Sequence, residues 1–173
     1  MMFNISEDII QKASKIRLVL TDCDGVLTDN GVYYSEQGEI MKRFSIRDGM
    51  GVERLIRLVG VETGIITGET SESVKKRAEK LKLRHLFLGI KNKELELENI
   101  LLNIELKKSE IAYIGDDVND IGIMQLCGLT ACPNNAMFQV VDIVDYHCKN
   151  DGGYGAFREF AELIIYSKNK INH

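Results

Sequence analysis

Residues 16–28 read Ile16-Arg17-Leu18-Val19-Leu20-Thr21-Asp22-Cys23-Asp24-Gly25-Val26-Leu27-Thr28, an apolar run that ends in two carboxylates and a glycine. Bounded by a turn signal, such a run reads as a fully buried strand of a parallel sheet. Ligands of open α/β sheets bind beyond the carboxyl ends of these strands, so Asp22 and Asp24 stand where chemistry is done. Two residues apart in extended backbone, they face the same way while Cys23 points elsewhere. Like charges this close repel, and a cation, a proton held on one of them, or both relieve the repulsion. A turn after a strand also favours Asp and Gly, so this stretch alone leaves a structural reading open. The rest of the chain separates the two.

Ser6 to Lys15, before this strand, has the spacing of a short amphipathic helix capped by Ser6. After Gly25 the pattern predicts a β-hairpin, Val32 to Tyr34 pairing with Glu39 to Phe44 around a four-residue loop, Ser35 to Gly38. A doubly wound sheet would place a helix here, so the hairpin is expected to be a flap beside the site or an assembly surface. Strands are then predicted at Val61–Ile66, His85–Leu88, Ile111–Ile114, Leu129–Cys132 and Ile143–Tyr146. Helices are predicted from Arg47 to about Leu58, Ser71 to Leu83, Glu94 to Ile104, Ile121 to Cys127, Asn135 to Val140, and through Tyr166 at the end. This alternation implies one α/β domain over residues 1–173: a Rossmann-like parallel sheet with helices on both faces.

Four predicted strand ends carry Asp22 and Asp24, then Thr67, then Lys93 in the following loop, then Asp116, Asp117 and Asp120. In a parallel sheet these ends open onto one edge, so one crevice holds five carboxylates, a hydroxyl and an ammonium. An all-oxygen set of this kind suits Mg²⁺, which takes one or two carboxylates and keeps room for substrate phosphate. Lys93 and Thr67, with the backbone amides of Asp24-Gly25 and Gly68, supply what a phosphate needs on its other side. The pattern points to phosphoryl transfer.

These motifs, Asp22-Cys23-Asp24-Gly25, Thr67, Lys93 and Gly115-Asp116-Asp117-Val118-Asn119-Asp120, resemble those of the haloacid dehalogenase (HAD) superfamily of aspartate-nucleophile phosphatases. The resemblance implies that Asp22 attacks phosphorus and that Asp24 is the acid and then the base. It implies that Asp22, the Asp24 carbonyl and Asp116 ligate Mg²⁺, with Asp117 and Asp120 behind them, and that Thr67 and Lys93 hold the phosphoryl oxygens. No interval is long enough for the separate cap domain that many members carry. The chain is similar almost end to end to a narrower group, the cap-less, tetrameric phosphatases of 3-deoxy-ulosonic acid phosphates. The matching stretches are Thr21 to Gly31, Arg47-Asp48-Gly49-Met50-Gly51 and Gly152 to Glu159. That implies a small sugar acid phosphate as substrate and a homotetramer whose neighbouring subunits close each site. Arg47, Asp48, Gly68 and Arg77 become candidates for contacts with the sugar acid or the interface. Octulosonate phosphatases usually carry arginine where this chain has Glu69; relatives acting on nine-carbon acid 9-phosphates pair Glu there with Arg and Lys, here Arg77 and Lys80. A glutamate accepts from sugar hydroxyls and repels a carboxylate, so Glu69 is expected to alter selectivity.

Composition sets the outer limits. The 173 residues carry a net charge of -4, which argues against a nucleic-acid partner. The four cysteines have no metal-ligand spacing, and neither a signal peptide nor a membrane span is legible, so a cytoplasmic protein is expected. Two other classes compete. A receiver-type signalling domain fits poorly, because its phosphorylated Asp follows the third strand, where this chain has Leu88-Gly89-Ile90. A non-catalytic assembly or regulatory module of sugar-nucleotide synthesis is the second, and an intact Asp22, Asp24, Lys93 and Asp116 argues against it.

Overall fold

The Ser6 hydroxyl accepts the Ile9 amide and starts helix α1 (Glu7–Lys15), which delivers the chain to β1 (Leu18–Thr21), buried along its whole length. The computed structural model describes residues 5–171. A hairpin follows, β2 (Thr28–Ser35) and β3 (Gly38–Phe44), then α2 (Ile46–Val59), β4 (Glu62–Ile66), α3 (Glu72–Leu81) and β5 (His85–Phe87). The second half runs α4 (Lys93–Asn103), β6 (Ile111–Ile114), α5 (Ile121–Met124), β7 (Leu129–Cys132), α6 (Phe138–Val141), β8 (Tyr146–His147) and α7 (Ala156–Ile171). Side chains at Ser45, Ser71 and Asn92 accept the amide of the third residue of α2, α3 and α4, one of the free amides of each first turn, which fixes where each helix begins.

The six main strands are all parallel, in the order β5-β4-β1-β6-β7-β8. The chain winds outward from β1 through β4 to β5, then crosses back to β6 and winds the other way. Thr21 pairs with Ile65 on one side and Ile114 on the other, so β1 and β6 end level and β4 ends one residue beyond them. The sheet therefore has its switch point at β1, where a parallel sheet opens a crevice. Alternate residues feed two cores: Val19, Ile65 and Ile114 pack with α1, α2, α3 and α7, while Leu18, Leu20, Ile66 and Tyr113 pack with residues of α4 and α5. Helices on both faces are what the alternation predicts.

Several boundaries differ from expectation. Glu36 and Gln37 alone connect β2 to β3, because pairing continues to Ser35↔Gly38 and absorbs two residues of the anticipated loop. Lys93 is the first residue of α4 rather than part of a loop, since Asn92 caps the helix directly before it. The helix from Ile121 stops at Met124, the helix expected from Asn135 begins only at Phe138 and ends at Val141, and the last strand is displaced to Tyr146–His147. Between β1 and α2 there is only the hairpin, and between β4 and β5 only α3, so no cap domain stands over the sheet among the described residues. The hairpin projects Tyr33, Tyr34, Ile40 and Met41 into solvent, and the one buried residue of β3 is Lys42.

Asp48, buried in the first turn of α2, accepts the amides of Gly155 at 3.2 Å and Arg158 at 2.9 Å. It thereby satisfies the start of α7 and joins the two helices on one face of the sheet. Asp48→Ala leaves two amides without that acceptor and is expected to lower stability in urea unfolding by about 2 kcal/mol; a change under about 0.5 kcal/mol would contradict this role.

Candidate active site

Past β1 the Asp22 amide donates to the Ile114 carbonyl at 3.0 Å, extending the ladder by one residue and presenting its carboxylate at the sheet edge. The chain then turns tightly, the Cys23 carbonyl accepting the amides of Leu27 at 2.9 Å and Thr28 at 3.1 Å. Gly25 takes a φ of +86°, and a Cβ there would lie 1.9 Å from Asp116 Oδ2, so only glycine lets the turn pass that carboxylate. Its amide donates to Thr28 Oγ1 at 3.3 Å rather than standing free. From the far side Gly153 donates to the Val26 carbonyl at 2.9 Å, and a Cβ on Gly152 would meet the Gly25 carbonyl oxygen at 1.7 Å. The glycine-rich segment before α7 is thus a close-fitting brace for the turn that carries Asp24.

Beneath the sheet edge lies a buried polar knot. Lys93 Nζ donates to Asp22 Oδ1 at 2.8 Å, Asp120 Oδ1 at 2.6 Å and the Tyr113 hydroxyl at 3.1 Å. The Tyr113 hydroxyl donates to the same Asp120 oxygen at 2.6 Å, and Asp120 Oδ2 accepts the amides of Asp116 and Asp117. Burial works against the Lys93 charge, but Asp22 and Asp120 outweigh it and the ammonium is held more firmly than usual. One cation does not offset three buried carboxylates. Burial first, and Asp120 next, push Asp22 up to about 7. Burial likewise pushes Asp116 up to about 6, against a hydrogen bond from Asn30 that lowers it.

A crevice of about 320 Å³ opens above this knot, and Asp22, Asp24, Thr67, Gly68, Glu69, Asp116 and Asp117 all line it. The structure therefore brings together residues from the ends of β1, β4 and β6, with Lys93 and Asp120 directly below. Thr67 is buried, and its hydroxyl accepts the Glu69 amide at 3.3 Å. Arg47, Asp48, Arg77 and Lys80 do not line the crevice. Asp48 is taken up by α7, and Arg77 donates to the Ser45 carbonyl at 2.7 Å and lies over the Phe44 ring. Lys80 borders a larger cleft of about 410 Å³ at the amino ends of β4 and β5, which lacks the convergent aspartates.

The hairpin contributes residues that strand-end reasoning does not reach: Asn30, Tyr34, Glu39 and Lys42 line the same crevice. Lys42 Nζ donates to Asp24 Oδ2 at 2.5 Å, and Thr28 Oγ1 donates to Asp24 Oδ1 at 3.2 Å. Asn30, at a φ of +63°, donates its side-chain Nδ2 to Asp116 Oδ2 at 3.2 Å. A lysine in an otherwise exposed ribbon and a tyrosine inside an apolar strand are the sequence signals for Lys42 and Tyr113.

Asp22, Asp116 and Asp120 offer oxygens within 4.8 Å of one another, a spacing that a hard divalent cation fits. The two Asp120 oxygens already accept four donors, which fills them. Asp22 and Asp116 keep capacity, so this donor set suits a cation held by two carboxylates and further oxygens rather than by three carboxylates. The excess buried negative charge is the physical reason such a cation is attracted to this place.

A model of the haloacid dehalogenase-like hydrolases matches residues 85–155. The 3-deoxy-D-manno-octulosonate 8-phosphate phosphatase KdsC of Escherichia coli (strain K12) is 34% identical over 168 residues, covering 97% of this chain and 89% of that protein. The crystal structure of the phosphatase of that name from Yersinia pestis superposes with a TM-score of 0.91 at 33% identity, covering 97% of this chain and 90% of that one. The Moraxella catarrhalis enzyme, in complex with magnesium ion, phosphate ion and KDO, gives a TM-score of 0.89 at 34% identity, covering 95% and 94%.

Protons and a cation compete for Asp22 and Asp116. Because both carboxyls titrate above the usual range, the metal-free fold binds more protons than the unfolded chain between about pH 4 and 7, and their contribution to stability falls as pH rises through that window. Mg²⁺ is therefore expected to raise the thermal midpoint more at pH 7.5 than at pH 5.5. Equal shifts at the two pH values, measured by calorimetry at saturating metal, would contradict this placement.

Proposed function

The chain belongs to the haloacid dehalogenase-like hydrolases, with the octulosonate phosphatases among its relatives, and on that premise we propose that it is a Mg²⁺-dependent phosphomonoesterase for a 3-deoxy-ulosonic acid phosphate. The observation that carries this reading is the pairing of Asp22 with a buried ammonium at the floor of a crevice that Asp24 and Thr67 also line. The Asp22 carboxylate attacks phosphorus, the bond from phosphorus to the sugar oxygen breaks, and Asp24 delivers a proton to the departing alkoxide. Asp24, now a carboxylate, takes a proton from the water that attacks the aspartyl phosphate, and the Asp22 carboxylate leaves. Thr67 and Lys93 serve the transferring phosphoryl oxygens, where positive charge and a hydroxyl count most in the transition state, and a direct Lys93 contact there would replace its bond to the Tyr113 hydroxyl.

Asp22, the Asp24 carbonyl and Asp116 are the residues that would hold Mg²⁺. Asp117 would lie behind them, and Asp120 would act through Lys93 and the amides that it orients. The bound ion supplies charge neutralisation at the phosphoryl group. Glu69, on the rim, is the residue through which an eight-carbon acid 8-phosphate and a nine-carbon acid 9-phosphate would be told apart, with Gly68 beside it leaving room for the backbone to approach the phosphate.

A homotetramer accounts for the exposed apolar ribbon of Tyr33, Tyr34, Ile40 and Met41, and for an open crevice with no cap over it. Arg47, Arg77 and Lys80 lie outside the crevice of their own chain, and in the proposed tetramer they are candidates for contacts at the interface or with a neighbouring subunit's substrate. Residues 1–173 are read as one domain. The reading places the enzyme in the cytoplasm, supported by cysteines that are all free, and no helix among the described residues is long and apolar enough to cross a membrane.

Phosphate release with Mg²⁺ from octulosonate 8-phosphate and nononate 9-phosphate is expected for the wild-type protein, and Asp22→Asn should reduce it by at least about 10³-fold with the fold intact. Preference for the nine-carbon ester in kcat/KM assigns selectivity to Glu69. Release from neither ester would overturn the reading in favour of a non-catalytic assembly module.

A further inference from the structure

The hairpin is fastened to the domain by a charge. Along β3 every residue is exposed or half-buried except Lys42, whose side chain is 2% exposed. Its ammonium contacts Asp24 Oδ2 at 2.5 Å and lies 3.7 Å from Glu39, and Glu39 in turn accepts the hydroxyl of Ser71, the residue that caps α3. Burying an ammonium is costly unless carboxylates surround it, and an apolar residue would anchor a ribbon more cheaply. Among the described residues lining the crevice, which include six carboxylates, Lys42 is also the one cation, and it is spent on Asp24 rather than turned to solvent. Thr28 approaches the other Asp24 oxygen at 3.2 Å.

We infer that Lys42 is a positioning residue for Asp24: with Thr28 it occupies one lone pair on each carboxyl oxygen and fixes the carboxyl plane, so that the remaining lone pairs face the crevice. The inference rests on the phosphatase reading, in which Asp24 gives the leaving oxygen its proton. A carboxyl free to rotate would spend most of its time out of line with that oxygen, and general acid help is worth roughly 10²–10⁴-fold. The loss should follow the need for a proton. A sugar or alkyl alkoxide is a poor leaving group and depends on the acid, whereas p-nitrophenolate leaves with little help.

The test compares Lys42→Met and Lys42→Arg with wild type on octulosonate 8-phosphate and on p-nitrophenyl phosphate, as kcat/KM, with the thermal midpoint as a check on folding. Lys42→Met keeps the apolar stem and removes the charge. It is expected to fall at least about 10-fold further on the sugar ester than on the aryl ester, and Lys42→Arg is expected to recover part of that difference. In an Asp24→Asn background, Lys42→Met should cost less than about 2-fold more, because its effect runs through the missing carboxyl. Equal losses on both esters, or losses that multiply in the double variant, would make Lys42 only an anchor of the hairpin and overturn the inference. Wild-type protein that cleaves neither ester overturns the phosphatase reading, and this inference with it; an active wild type with an unchanged ester ratio overturns the inference alone.

Discussion

The Lys93 ammonium, buried between Asp22 and Asp120, is the interaction on which the rest of the site depends. A charge removed from water persists only where opposite charge and hydrogen bonds replace the solvent, and here two carboxylates and the Tyr113 hydroxyl do so. The same contacts work in the other direction. Asp120 is held by Lys93 and Tyr113 on one oxygen and by two backbone amides on the other, so the loop after β6 is tied to the start of α4. Asp22, at the end of β1, is tied to both. Three segments far apart in sequence are locked by one cation.

The sheet makes this meeting possible. Because β4 and β6 flank β1 in level register, the residues just past each strand fall within reach of one another without long loops. Glycine at position 25 lets Asp116 approach the turn, and the Gly152-Gly153 segment closes behind it. The site is therefore rigid on the sheet side, set by strands and helix starts, and open on the side where the hairpin stands. That division suits a reaction in which the phosphoryl group meets fixed charges while the sugar is met by the hairpin or another subunit.

Much of this was legible in the order of residues. Buried strands ending in Asp22, Thr67 and Asp116 follow from apolar runs with polar ends, and a parallel sheet then dictates that they converge. Lys93 was expected at the same crevice, although its place on the first turn of α4 depends on Asn92 as a cap. What could not be read was the geometry of side chains crossing between elements. Asp48 looks like a polar turn residue until α7 packs beside it and offers two amides. Arg77 and Lys80, equivalent charges on one basic helix, separate only when α3 is docked, one against Phe44 and the other bordering the cleft at the opposite edge of the sheet. Lys42 and Asn30 sit in a ribbon whose alternation marks the hairpin but not which face leans over the aspartates.

Whether the phosphoryl group passes through Asp22 is recorded in the stereochemical course at phosphorus. Hydrolysis in H₂¹⁷O of an octulosonate phosphorothioate ester made chiral at phosphorus with ¹⁶O and ¹⁸O is predicted to give chiral thiophosphate with net retention, because two in-line displacements, by Asp22 and then by water, each invert the centre. Net inversion would mean that water attacks the ester in a single step, and it would contradict the role of Asp22 as nucleophile.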